Sequence, residues 1–264
     1  LSALVGVAAI SPSSPAWAVE SWTTPVNVSV APEDAYEPQI VADSNNTLTA
    51  VWNWSNGSNE LTQTSTSTDA GATWSTPFTL SATGQDADQH QIVAAPNNTL
   101  TTIWRRSDGS NLRVQTRTST DAGANWSSVV DLSATGQNAR EPQIVAAPNN
   151  TLTAIWRRSD GSDYIVQTRT STDAGATWSS AVNLSATGQN SYDPQIVADS
   201  NNTLTAIWRR SDGSNFINPS SAPKPCCHIQ MPPIHVLWTF VHLFYRLVKY
   251  PTHSGLNVLC PEEM

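Results

Sequence analysis

The chain of 264 residues carries 13 Lys and Arg against 21 Asp and Glu, a formal net charge of −8. That balance argues against nucleic acid as a partner, because phosphate binding needs a basic face. Only 13% of the residues are charged, and the three cysteines, Cys226, Cys227 and Cys260, all fall near the C-terminus, so the rest of the chain must build its core without disulfides.

Taken from the N-terminus, Leu1 to Ile10 is an apolar run and Ala16-Trp17-Ala18 has the form of a small-residue cleavage site. Residues 1–18 read as the remnant of a signal peptide, with a mature start near Val19 and a secreted or cell-surface protein as the expectation. From Trp22 onward the sequence repeats every 52 residues. Gln39-Ile40, Gln91-Ile92, Gln143-Ile144 and Gln195-Ile196 fall in register, as do Trp52, Trp104, Trp156 and Trp208. A fixed period in this range marks a solenoid, propeller or array, in which no unit can bury its apolar face alone.

Within one unit every signal is β. Gln143 to Pro148 and Thr151 to Arg158 are rich in β-branched and aromatic residues and are joined by Pro148-Asn149-Asn150, a turn. Ser159-Asp160-Gly161-Ser162 is a second turn, Tyr164 to Thr170 a third strand, the Asp173-Ala174-Gly175 segment a third turn, and Ala181 to Ser185 a fourth strand. Four short antiparallel strands, A to D, make the blade of an all-β propeller. Both faces of strand B carry apolar groups, as expected for a blade sandwiched between neighbours.

Three copies share an eight-residue segment of the form Ser-x-Asp-x-Gly-x-x-Trp. Its fixed positions are Ser67, Asp69, Gly71 and Trp74, then Ser119, Asp121, Gly123 and Trp126, then Ser171, Asp173, Gly175 and Trp178. The Asp accepts hydrogen bonds from its own turn, the Gly permits positive φ, and the Trp ring is expected to bury itself on the blade. These segments are staples before they are anything else. They resemble the Asp-box, or BNR, repeats of the sialidase superfamily, over about residues 20 to 217. The resemblance implies propeller blades whose Asp boxes lie on the face away from any active site; sialidases themselves have six blades.

Trp22-Thr23-Thr24-Pro25 aligns with Trp74-Ser75-Thr76-Pro77, so the chain enters as a strand D, runs through three full blades and starts a fourth at Gln195 that ends near Ile217. The expectation is about four blades, either closed by that first strand D or left as part of a larger propeller. Open strand edges would call for a partner, and self-association is the simplest.

Just before strand A the copies differ, reading Tyr36-Glu37, Asp88-Gln89, Arg140-Glu141 and Tyr192-Asp193. In a four-stranded blade this connection shares a face with the B–C hairpins, which bear Arg105-Arg106, Arg157-Arg158 and Arg209-Arg210; blade 1 has Asn53-Trp54 instead. The variable residues are expected to ring the mouth of the central channel. Two readings compete there. In one, Arg140, Arg106, Arg158 and Arg210 grip the carboxylate of an acidic glycan, with Tyr36 and Tyr192 stacking on it. In the other, the arginines pair with Glu37, Glu141 and Asp193 to tie neighbouring blades together.

By the same resemblance, a sialidase would use a Tyr nucleophile assisted by a Glu, an Asp as acid/base and three arginines on the substrate carboxylate, an exception to the usual carboxylate pair. Tyr36, Tyr192, Glu141 and Asp88 are the candidates by residue type. However, Tyr36 and Glu37 are adjacent on a strand and expected to point oppositely, and the family's Phe/Tyr-Arg-Ile-Pro segment is missing. The sequence therefore points to a secreted, glycan-binding, non-catalytic propeller. An exo-alpha-sialidase and a structural cell-surface array are the alternatives. No cofactor is expected.

After Asn218 the repeat stops. Cys226-Cys227-His228 lacks the spacing of a metal site, and Val236 to Tyr250 is too short for an ordinary transmembrane helix. Residues 218–264 read as a tail foreign to the propeller, either a shifted or truncated gene end or a small domain of its own.

Overall fold

The computed structural model describes residues 23–221 apart from 31 and 33. The signal-like segment, 1–18, and nearly all of the tail after Asn218 lie outside the described residues. Those described form strands and no helix, and so no helix long and apolar enough to cross a membrane.

The first sheet sets β1 (Ala35–Ala42), β2 (Leu48–Ser55), β3 (Glu60–Ser67) and β4 (Phe78–Thr79) side by side, each pair antiparallel. The second repeats this order with β5 (Ala87–Ala94), β6 (Leu100–Ser107), β7 (Leu112–Ser119) and β8 (Val130–Asp131). The third has β9 (Ala139–Ala146), β10 (Leu152–Ser159), β11 (Tyr164–Ser171) and β12 (Val182–Asn183). In the fourth, β13 (Ser191–Ala198) pairs with β14 (Leu204–Ser211), whose other edge takes two short pieces, β15 (Phe216–Ile217) and β16 (Ser220–Ser221). That sheet therefore runs past Ile217, interrupted at Pro219, which has no amide to give. These sheets are the blades of a β-propeller, numbered 1 to 4 below. Their first strands, β1, β5, β9 and β13, neighbour one another in turn and line a central channel with Val41, Val93, Val145 and Val197.

Alternation along the second strand explains why the blades stack. In β10, Ala154 and Trp156 face backward, onto Ile103, Val114 and Leu132 of blade 2, while Ile155 faces forward onto Ala206 and Trp208 of blade 4. Trp104 and Trp156 are fully buried. Each such ring removes roughly 150–250 Å² from water, about 4–6 kcal/mol gross at about 25 cal/mol per Å². The Asp-box rings Trp74, Trp126 and Trp178 are only half-buried, not buried as the motif suggested. Trp126 and Trp178 sit at the rim of these inter-blade cores, and the strand-B tryptophans occupy their centres.

The first strand of each blade departs from the pattern. In blade 3 it begins at Ala139, not Gln143, because the strand continues across a bulge. Gln143 pairs with Ile155 and Arg140 with Arg157, so Glu141 and Pro142 together stand against the single residue Trp156. Glu37, Gln89, Glu141 and Asp193 all take left-handed φ at these bulges, between 51° and 55°. The expected opposite pointing of adjacent residues such as Tyr36 and Glu37 does not hold across such a bulge. Closure of a ring by the N-terminal segment has no counterpart among the described residues. Residues 23–30 form no strand, and Val26 to Ser29 lie beside Ile40, Trp52 and Trp74 of blade 1.

The Asp boxes join the third and fourth strands at the same end as the A–B turns. Asp121 accepts from the Asn125 backbone at 2.9 Å and from its side chain at 2.7 Å, and Ser119 Oγ donates to it at 2.8 Å. Hydrogen bonds of this kind, from the side chain at the end of the turn first, lower Asp69, Asp121 and Asp173 from 3.8 to about 2. Because the folded value lies below the unfolded one, this contribution to stability is complete above about pH 4 and is lost as pH falls toward 2. Titration of these carboxyl groups by NMR should give midpoints near 2, with the melting temperature falling over the same interval; midpoints near 4 would remove the Asp boxes from the acid response.

The glycines of the boxes give a second test. Gly71 and Gly123 share φ near 88° and 85°, but a Cβ on Gly123 would lie 2.6 Å from Thr66 Cγ2 of the preceding blade, whereas on Gly71 nothing comes closer than 3.7 Å. Gly71→Ala should cost about 1–2 kcal/mol from the left-handed backbone alone, and Gly123→Ala measurably more. Equal denaturation midpoints for the two variants would contradict the inter-blade contact.

Candidate functional site

The B–C hairpins and the D-to-A connections share the end opposite the Asp boxes, and the channel opens there. The mouth is a cavity of about 310 Å³ lined by Glu37, Gln89, Glu141 and Asp193, by Gln39, Gln91, Gln143 and Gln195 one step further in, and by His90. Of each variable pair expected at the mouth, the second residue, at 37, 89, 141 and 193, lines the channel, and the first, at 36, 88, 140 and 192, is not among the lining residues. The bulge is the cause, since it turns the second residue inward.

Hydrogen bonds pass from blade to blade around the ring. The Glu141 amide donates to Gln89 Oε1 at 3.0 Å, and the Asp193 amide to Glu141 Oε2 at 2.9 Å. Glu141 and Asp193, two of the four strained residues, are therefore each held by a side chain of the blade before. The first arginine of each hairpin is also engaged, within its own blade and not across blades. Arg157 meets Glu141 at 2.8 Å and Arg209 meets Asp193 at 3.4 Å. Arg105 forms a forked pair with Asp88, Nε to Oδ1 at 2.7 Å and Nη2 to Oδ2. The second arginines serve the connecting loops: Arg106 donates to the Ala82 and Thr83 carbonyls, and Arg158 to that of Thr135. Arg210 has no hydrogen-bonding or ion-pair partner among the described residues.

The variable residues lie at the junctions between blades. Asp88 lines a cleft of about 560 Å³ with Glu60 of blade 1 and Arg105 of blade 2. Tyr192 packs on Tyr164 and Phe216, with ring centroids 5.9 Å away in both cases, and lies under Arg157 and Arg209 at 4.8 and 5.3 Å. Arg209 also covers Phe216 at 4.5 Å, giving a ladder of alternating rings and guanidinium groups. Arg140 stands opposite Arg157 on the neighbouring strand and has no hydrogen-bonding or ion-pair partner among the described residues. Tyr36 is on the backward face of blade 1, beside Trp52, and its hydroxyl donates to Asp34 at 3.1 Å. That bond, first, then burial and the Asp34 and Glu60 charges hold its pKa above 10. Tyr36 and Glu141, both candidates for a sialidase-like centre by residue type, share neither a cavity nor a hydrogen bond.

Two residues escaped notice in the sequence. His90 is buried where the other blades have Pro38, Pro142 and Pro194. Its Nδ1 is 2.8 Å from Asn53 Oδ1, and Asn53 Nδ2 donates to Glu37 at 3.3 Å. Burial, against the pull of Glu37 and Asp88, lowers the His90 pKa. Glu60 stands where the repeat has Leu112, Tyr164 and Phe216; burial first, then Asp88, Asp86 and Glu37, raise its pKa. Comparing the four copies at these columns would have exposed both. No group of three or more His, Cys, Asp or Glu among the described residues is arranged to hold a metal.

Fold and motif together define an Asp-box propeller. A family model described as a BNR repeat-like domain matches residues 9–222, and the chain belongs to that family. No protein of curated function matches the sequence. Among solved structures it is similar to the Hadza microbial sialidase Hz136, with 14% identity and a TM-score of 0.54 over 70% of this chain and 43% of that one. It is also similar to the NanB sialidase of Streptococcus pneumoniae, with 11% identity and a TM-score of 0.50 over 71% and 50%. The chain thus spans half or less of these proteins, and at such identities the likeness concerns the fold.

Glu141 both pairs with Arg157 and caps the next blade. Glu141→Ala should cost about 1–3 kcal/mol, the usual penalty for stranding half-buried partners. Glu141→Gln should cost less, because Gln89 shows that an amide can make the cap. Indistinguishable urea midpoints for the two variants would deny the cap its part.

Proposed function

We propose that this protein is a secreted or cell-surface glycan-binding propeller, and that it binds an acidic glycan without cleaving it. The observation that carries the reading is the Arg140 guanidinium. Of the three variable residues that lie between two blades, Asp88 is forked to Arg105 and Tyr192 is packed between two arginines, while Arg140 has no partner among the described residues. A half-buried guanidinium without an anion is a ready carboxylate ligand. Phe216, 55% exposed, supplies a ring on the same end of the propeller for a sugar to stack on. The channel mouth, with Glu37, Glu141 and Asp193, would repel a carboxylate, which favours the junction over the ring as its seat.

Against hydrolysis stands the state of the tyrosines. Tyr36 is raised in pKa by its bond to Asp34, the opposite of an activated nucleophile. Tyr192 is enclosed by two guanidinium groups with no carboxylate hydrogen-bonded to it.

Titrating a sialoside and its carboxyl-reduced analogue against wild type and Arg140→Ala tests the proposal. Wild type should prefer the carboxylate form, and Arg140→Ala should lose that preference, with affinity falling roughly ten- to a hundredfold for the usual 1.5–3 kcal/mol of a charged hydrogen bond. Four equal affinities would rule the site out, and release of a fluorophore from a sialoside by wild type would overturn the non-catalytic part.

A further inference from the structure

The two ends of the blade array are matching halves of a junction that the chain already makes three times. Inside the array, the backward-facing Ile92 and Ile144 are 7% and 6% exposed, but Ile40, their equivalent in blade 1, is 58% exposed. The forward-facing Ile103 and Ile155 are fully buried, but Ile207, their equivalent in blade 4, is 48% exposed, and Val197 beside it 62%. The side chains are the same; what differs is that no blade among the described residues lies against Ile40 or Ile207.

The polar half of the junction is equally unmatched. Gln89 and Glu141 each accept the amide of the ring residue in the next blade, while Asp193, at the far end, accepts none from a described residue. Asn98, Asn150 and Asn202 each accept an amide from the A–B turn of the blade before. Asn46, at the near end, accepts none from a described residue. The segment from Val26 to Ser29 covers Trp52 yet leaves a groove of about 510 Å³ between itself and Ile40, Trp52 and Trp74, open to a side chain from outside.

We propose that two copies of this chain associate head to tail, the forward face of blade 4 in one copy seating on the backward face of blade 1 in the next, in the geometry of the internal junctions. The occupant is a second copy because its exposed face carries the residues that fill this junction elsewhere in the molecule: Val197 and Ile207 for the apolar half, and Asp193 to receive the Glu37 amide. Such an interface is heterologous, with different patches on the two partners, so it does not stop at two copies by symmetry.

Ile207→Lys removes the tail and Ile40→Lys removes the head. Both residues are exposed in the single chain, so both variants should fold with wild-type melting temperatures when dilute. Light scattering coupled to size exclusion, over a dilution series of the full chain, should show wild type at the mass of two or more chains, rising with concentration. Each variant alone should stay at the mass of one chain. Mixed, the two variants should form a species of two chains and no larger, because one intact head then meets one intact tail. Wild type at one chain mass throughout would overturn the proposal and assign both faces to another occupant, such as residues 1–22 or the tail. Variants that still assemble alone, or a mixture that stays single, would overturn the head-to-tail geometry.

Discussion

Everything in this molecule depends on the fact that a blade cannot cover itself. The second strand of each blade is apolar on both sides, with Trp104 or Trp156 looking backward and Ile103 or Ile155 forward. Neither face is satisfied until another blade lies against it. The largest burial in the molecule is therefore inter-blade burial. The Asp box is secondary to it: its hydrogen bonds close a local turn, and its half-buried Trp seals the rim of a core whose centre is the strand-B tryptophan.

The same constraint shapes the end that carries the channel mouth. Four non-glycine residues hold left-handed backbone at the bulges, a strain of about 1–3 kcal/mol each where the surroundings impose it. Two of them, Glu141 and Asp193, are held by a side chain of the preceding blade, so the shape of the channel mouth is a property of stacking and not of any one blade. Strain gathered around a cavity is a common companion of function. Here it also divides each variable pair, the second residue facing the channel and the first, as with Asp88 and Tyr192, meeting the neighbouring blade. A ligand at the proposed junction site would touch two blades at once, which would tie its affinity to the integrity of the stack.

The 52-residue register, the four strands per blade and the two ends of the sheet were legible in the sequence, because period-2 patterning and turn residues report them directly. The bulge was not. A left-handed Glu or Asp has no signature of its own, and the proline that follows in three blades could equally have marked the strand's start. Without the bulge, nothing in the sequence separates the two members of each variable pair, of which only the second, Glu37, Gln89, Glu141 or Asp193, lines the mouth. Tyr36 and Tyr192 show a second limit. They occupy the same column of the repeat and differ in surroundings, since Tyr192 packs on blade 3 before it and Tyr36 has no blade before it among the described residues. No comparison of columns can supply a neighbour.

Columns can nevertheless show compensation. Blade 1 lacks the arginine that pairs with the ring carboxylate elsewhere and has Asn53; blade 2 lacks the proline after the ring residue and has His90. Each change taken singly leaves a problem, a Glu37 without its cation or a buried imidazole without a partner. Together they meet both problems in part, His90 Nδ1 bonding Asn53 and Asn53 bonding Glu37, while His90 Nε2 stays without a partner among the described residues. The first junction thus replaces an ion pair within one blade by a neutral link across two, while its outer cleft gathers Glu60, Asp86 and Asp88. The junction after blade 3 goes the other way, to rings and guanidinium groups. One scaffold interface, copied three times, has been given different chemistry at each copy while its apolar centre stayed the same, and this is the division between support and function that a repeat makes visible.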